Sequence, residues 1–179
     1  MIKLNDYLEK KPPKQIVFIL ISFFLVIYFL GVLKGVLSGE PLNDLELGQN
    51  KYVSDIYLNN LKVSLSILLM GTITGGVYSI IVMFLNGFIL GKLLQYLAIN
   101  NMLYIVPAGL LPHAIIEIFS LCMFSAISMF PILMLYHFLK SSAKIPCNII
   151  IFSLKILVFS IIALFAASLL ECYVSNVPL

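Results

Sequence analysis

The chain has 179 residues, 61% of them hydrophobic and 11% charged, with a mean hydropathy of +1.09 and a formal net charge of +3. A soluble domain carries about a quarter charged residues, so a water-soluble fold is excluded. The long stretches are apolar on all sides rather than alternating, which excludes a β-barrel. The expected class is an all-α polytopic membrane protein of about five transmembrane helices, within a range of four to six, one of them broken or re-entrant.

Residues 1–14 are polar, with Lys3, Lys10, Lys11 and Lys14 against Asp6 and Glu9, and Pro12 and Pro13 keep a helix from running through. A first span follows over 15–37. It is interrupted only by Lys34, whose long side chain can snorkel. A polar outer loop is expected over 38–60, where Glu40, Asp44, Glu46 and Asp55 face only Lys51. The lysine-rich start and acidic loop place the N-terminus in the cytoplasm and the loop outside. Residues 63–91 carry no charge and are taken as one span, and Lys92 after it suggests a return to the cytoplasmic side.

The apolar run 102–138 is too long for one ordinary helix and contains Pro107, Pro112 and Pro131. Dividing it at Pro112 gives an irregular outward passage over 93–112 and an inward helix over 113–139. Lys140 and Lys144 then lie on the cytoplasmic side. A last span over 146–173 leaves the C-terminus outside, so that 15–179 forms a single transmembrane domain in the cell membrane. With tryptophan absent, Tyr28, Tyr52, Tyr57, Tyr136 and Tyr173 are the candidate interface anchors.

All eleven basic residues are lysine. Without the bidentate fork of arginine, phosphate or nucleic-acid recognition is not expected. Cys122, Cys147 and Cys172 lie too far apart in sequence for a zinc or redox motif and read as small buried hydrophobes. The stretch GFILGK is one residue short of a phosphate loop and lacks the hydroxyl that should follow.

His113 and Glu117 are the residues that call for an explanation. At i and i+4 they share a helix face, and Pro112 suits a first helical position. Glu117 would then gain from the helix dipole. An ionisable residue inside a membrane is a functional candidate. Three readings are open: a hydrogen-bonded pair that fixes the bundle, a proton or ligand site, and a catalytic pair. Zinc needs three or four protein ligands, so no metal site is predicted and His113 and Glu117 are only weak candidates for one. Cys122, His137 and Glu171 could join them only through the tertiary fold.

Asn59 and Asn60 precede the uncharged run, and Asn86, Gly87 and Gly91 lie at its far end. Asn59 or Asn60 can cap a helix and Asn86 can bond between helices. The functional alternative puts Asn60 and Asn86 in a polar site with Glu117. Gly71, Gly75 and Gly76 permit close helix packing, within one chain or in an oligomer.

The stretches LNNLKVSLSILLMGTITGGVYSIIVMFLNGFILGKLL and LLPHAIIEIFS combine these features: Asn-Asn, then Asn-Gly-x-x-x-Gly, then Pro-His-x-x-x-Glu. In this combination the chain resembles the stage II sporulation protein M family over about residues 50–175. Ala114 stands where that family usually has glycine, and SAISMFP replaces a glycine-rich stretch. The resemblance implies a multi-span protein that works with partners: the bilayer, and other membrane or envelope proteins, among them an ABC transporter or a peptide substrate. No cofactor is implied. The namesake anchors a peptidoglycan-remodelling complex during forespore engulfment. Short stand-alone relatives occur beside circular-bacteriocin genes, where they are tied to peptide maturation, export or self-protection. The leading expectation is a partner protein of that second kind; the alternatives are an engulfment scaffold for peptidoglycan hydrolases and an intramembrane hydrolase or peptide-processing enzyme using His113 and Glu117.

Overall fold

A computed structural model describes residues 13–39, 52–141 and 147–174. Within them are five long helices: α1 (Pro13–Val36), α2 (Val53–Ile73), α3 (Val77–Ile99), α4 (Leu111–Ser141) and α5 (Cys147–Val174). Each is long and apolar enough to cross a membrane, and no strand occurs among the described residues. Helices are the expected solution where no water is present to satisfy backbone N–H and C=O groups. Pro13 opens α1, at a position where its missing N–H is not needed.

The number of spans agrees with the sequence reading, but the boundaries do not. The uncharged run 63–91 is two helices rather than one, because the chain reverses at Gly75 and Gly76, whose φ angles are +63° and +96°. Side chains rarely adopt that left-handed backbone. The Gly76 N–H closes back on the Gly71 carbonyl at 2.7 Å, as in a helix-terminating Schellman turn. Thr74 serves both helices: its hydroxyl donates to the Met70 carbonyl at 2.7 Å and accepts the Tyr78 N–H at 3.0 Å. With the reversal already made, Lys92 lies toward the end of the bundle opposite Pro13, which corrects the expected return at that lysine. The outer loop is also shorter than 38–60, since α2 begins at Val53 and includes Asp55, Asn59 and Asn60.

The expected broken passage over 93–112 is confined to a few residues. α3 runs unbroken to Ile99, a 3-10 turn covers Leu103–Ile105, and a π-helical turn covers Val106–Leu110 before α4. Pro112 has no N–H to offer the carbonyl four residues back, and the helix is wound wider just ahead of it. The chain is therefore helical before Pro112, so His113 does not follow a free helix N-terminus. Pro131 lies inside α4 without ending it.

α1 and α3 run parallel at very close approach. Gly31 and Gly35 of α1 face the Phe84 and Phe88 carbonyls, while Gly87 and Gly91 of α3 face those of Tyr28 and Val32. Each helix thus offers two glycines four residues apart to the other, the spacing that lets membrane helices touch through their backbones. α4 is the central helix: 56% of its most apolar stretch is buried, against 17–28% in the other four. Its segment Ser120–Ser128 is almost wholly enclosed and rich in small residues. Ser120 and Ser128 bond to their own helix, and Ser128 also meets Ser79 of α3 at 2.8 Å. Gly71 of α2 leaves the room for that serine pair.

The bundle has two distinct ends. One gathers the start of α1, the α2–α3 reversal, the end of α4 and the start of α5. The other gathers the end of α1, the start of α2, the 99–111 connection and the end of α5. Lys3, Lys10, Lys11, Glu40, Asp44, Glu46 and Lys144 lie outside the described residues, as do the side chains of His137, Lys140 and Cys147.

Candidate functional site

The three carboxylates among the described residues, Asp55, Glu117 and Glu171, lie toward the second end. A cleft of about 350 Å³ there is lined by Asp55, Ile56, Asn59 and Asn60 of α2 and by Glu171 of α5. On successive turns of one helix, Asp55, Asn59 and Asn60 share a face, and Glu171 comes from the facing helix. Tyr57 and Phe165 join the same two helices edge to face, with ring centroids 5.5 Å apart. That pair fixes the spacing of the cleft walls.

Behind the cleft the polar character continues inward. Glu171 interacts electrostatically with both His113 and Glu117 of α4. His113 is 8% exposed and hydrogen-bonds to the backbone of Gly109, in the π-helical turn. Glu117 lies one turn further along α4. Beyond it Tyr28 of α1, only 5% exposed, feels the charge of Glu117 and neighbours Cys122. The result is a polar strip from the bundle surface at Asp55 to the core at Tyr28, assembled from α1, α2, α4 and α5. Such a strip supplies carboxylate acceptors, amides that both donate and accept, and an imidazole able to move a proton.

The structure brings Asn59, Asn60, His113 and Glu117 toward this region, with Pro112 beside His113. Asn86 is not among the cleft walls; its amide donates to the Val82 carbonyl of its own helix at 2.9 Å. Gly87 and Gly91 belong to the α1–α3 contact. Gly71 packs on Ser79 and Ser128, whereas Gly75 and Gly76 form the reversal. Tyr28 is buried, which corrects its assignment as an interface anchor: it sits in mid-helix against the main core, beside Phe24. Tyr52 and Tyr173 are exposed near helix ends, as anchors would be. Cys122 is fully buried, Cys172 is half-buried, and both are free thiols.

Sequence reasoning underweighted two residues of the strip, Glu171 and Asp55. The sequence puts Asp55 in the polar outer loop and leaves Glu171 to join only through the tertiary fold, and the meeting of α2 with α5 gives them a shared cleft. His137 lies 24 positions after His113 on the same helix, about 36 Å away along its axis, so it cannot join the site. Among the described residues no three of His, Cys, Asp and Glu are grouped as metal ligands would be.

The sequence profile of the family described as Stage II sporulation protein M matches residues 15–176. A relative in Methanocaldococcus jannaschii, the uncharacterized protein MJ0793, is 32% identical over 165 residues, covering 84% of this chain and 90% of its own. No solved structure matches the chain.

Proposed function

The chain belongs to the stage II sporulation protein M family, and from that premise we propose that it is a membrane partner in a cell-envelope or peptide maturation, export or self-protection system of the bacteriocin type. It acts by binding a protein or peptide. The observation that carries this reading is the cleft between α2 and α5, where Asp55, Asn59, Asn60 and Glu171 stand together. Carboxylates and carboxamides in a shallow, water-facing cleft match the N–H donors and basic groups of a peptide. The N-terminus is cytoplasmic in this reading, from Lys3, Lys10, Lys11, Lys14, Lys140 and Lys144, and the cleft then faces outward.

The test is photocrosslinking in the native host from a reactive residue installed at Asn59, compared with one at Ile89 on the lipid-facing side of α3. A peptide or envelope protein captured from position 59 and not from position 89 supports the proposal. Deletion of the gene with no change in peptide production, export or producer resistance would refute the bacteriocin-type role.

A second reading, an intramembrane hydrolase, draws support from the grouping of His113, Glu117 and Glu171 behind the same cleft. An imidazole beside carboxylates is an acid/base set. In that case Glu117→Gln abolishes turnover of a captured peptide while leaving its crosslinking from position 59 intact.

A further inference from the structure

The lysines at the two ends of the bundle are not equivalent. At the cleft end, Lys34 and Lys92 lie toward the C-terminal ends of α1 and α3. Helical side chains lean toward the helix N-terminus, so these stems lean back into the span. Lys92 does so visibly, with its ammonium 5.4 Å from the centre of the Phe88 ring one turn earlier. At the opposite end, Lys14 and Lys155 lie toward the N-terminal ends of α1 and α5. There the same lean carries the ammonium outward, to the nearer membrane surface.

Each of these two lysines also has an apolar groove beside it. The α5 groove, about 350 Å³, is lined by Ile151, Leu154, Lys155 and Val158. Its three apolar residues are 48%, 56% and 57% exposed, so no other helix among the described residues covers them. The α1 groove, about 410 Å³, is lined by Lys14, Gln15, Phe18 and Ile19. All three carboxylates among the described residues, Asp55, Glu117 and Glu171, lie toward the far end of the bundle. Lys155 lies eight residues after Cys147, the first residue of α5, about 12 Å along the helix. The lysine stem leans toward the helix N-terminus and so carries its ammonium closer to the headgroup layer on that side.

From this placement we infer that the α5 groove is a binding site for an anionic phospholipid, with Lys155 on the phosphate and Ile151, Leu154 and Val158 against an acyl chain. The apolar floor fits a hydrocarbon tail, and the Lys155 ammonium above it fits the negative headgroup. Free phosphate would use only half of the site. Lys14 offers the same pairing on α1, so this end of the bundle is bordered by two lipid sites in one leaflet.

The experiment uses the full chain in nanodiscs of phosphatidylcholine with phosphatidylglycerol, and native mass spectrometry of the lipids it retains. Wild type is expected to retain phosphatidylglycerol in preference to phosphatidylcholine. Lys155→Ala should weaken that retention about fivefold, the factor for one lysine at an anionic surface. Lys155→Arg should preserve it, and Lys92→Ala should leave it unchanged. Lys155→Gln, which keeps a polar stem, replaces the alanine variant if that one fails to fold. Equal retention of the two lipids by wild type, unchanged retention in both uncharged Lys155 variants, or the same loss in Lys92→Ala would each overturn the inference.

Discussion

Replacing Gly87 by alanine sets two opposing effects against each other, and the structure decides which wins. Alanine in a helix interior is favoured over glycine by about 1 kcal/mol from backbone entropy alone. Propensity therefore predicts a more stable protein. Packing predicts the reverse. A Cβ on Gly87 would run into the Tyr28 carbonyl oxygen and lie 3.0 Å from the Tyr28 carbonyl carbon and 3.2 Å from the Val32 nitrogen. These are backbone atoms of α1, so no side-chain rotation relieves the clash and the two helices must move apart. Overpacking costs typically 1–3 kcal/mol, and a backbone clash belongs near about 3. Subtracting the propensity gain leaves a net destabilisation of about 2 kcal/mol.

Gly91→Ala meets the Val32 carbonyl and the Gly35 Cα in the same way, so the same widening of the α1–α3 contact relieves both clashes. The double variant should therefore lose clearly less than the sum of the two single losses. Unfolding in mixed detergent–SDS micelles, followed by circular dichroism, gives the stabilities. Electron-spin distance measurements between labels on the outer faces of α1 and α3 give the separation. Stabilisation by Gly87→Ala, or strict additivity with unchanged separation, would refute the account of α1 and α3 as helices joined through paired glycines.

Gly75→Ala offers a contrast: its Cβ would meet only Ile132, at an ordinary 3.6 Å. The cost there, about 1–2 kcal/mol, comes from the left-handed backbone, and the same labels should report no change in separation. Ser128→Ala removes the 2.8 Å bond to Ser79 and should cost about 0.6 kcal/mol, the average for such bonds between membrane helices. Tyr57→Leu and Phe165→Leu should show a coupling of about 0.5–1.5 kcal/mol in a double-mutant cycle, and each should weaken crosslinking from position 59 by loosening the cleft. Glu117→Gln keeps the shape of the side chain and removes its repulsion with Glu171. It should therefore be at least as stable as wild type in the same SDS titration, and a clear loss of stability would refute the repulsion.

Much of this architecture is legible in the residues. Uncharged stretches of about 20 residues must be helical in lipid, because every backbone polar group has to be satisfied within the segment. The Asn-Asn, Asn-Gly and Pro-His-x-x-x-Glu elements mark the family, and His113 and Glu117 stand out because charge inside a membrane is costly. The reversal at Gly75–Gly76 was written in the sequence too, but it gave no change in hydropathy to mark it. The pairings were not legible. Nothing local tells Gly31 and Gly35 that they will meet Gly87 and Gly91, or brings Glu171 and Asp55 to one cleft near Glu117. In a soluble protein the alternation of polar and apolar faces would have shown which side of each helix looks inward. Lipid tails are as apolar as a protein core, so a residue facing the bilayer and one facing the bundle can be identical. The sequence thus determined that the chain spans the membrane as helices and carries a polar signature. Only the packing of those helices decided which faces meet, and so where the polar strip lies.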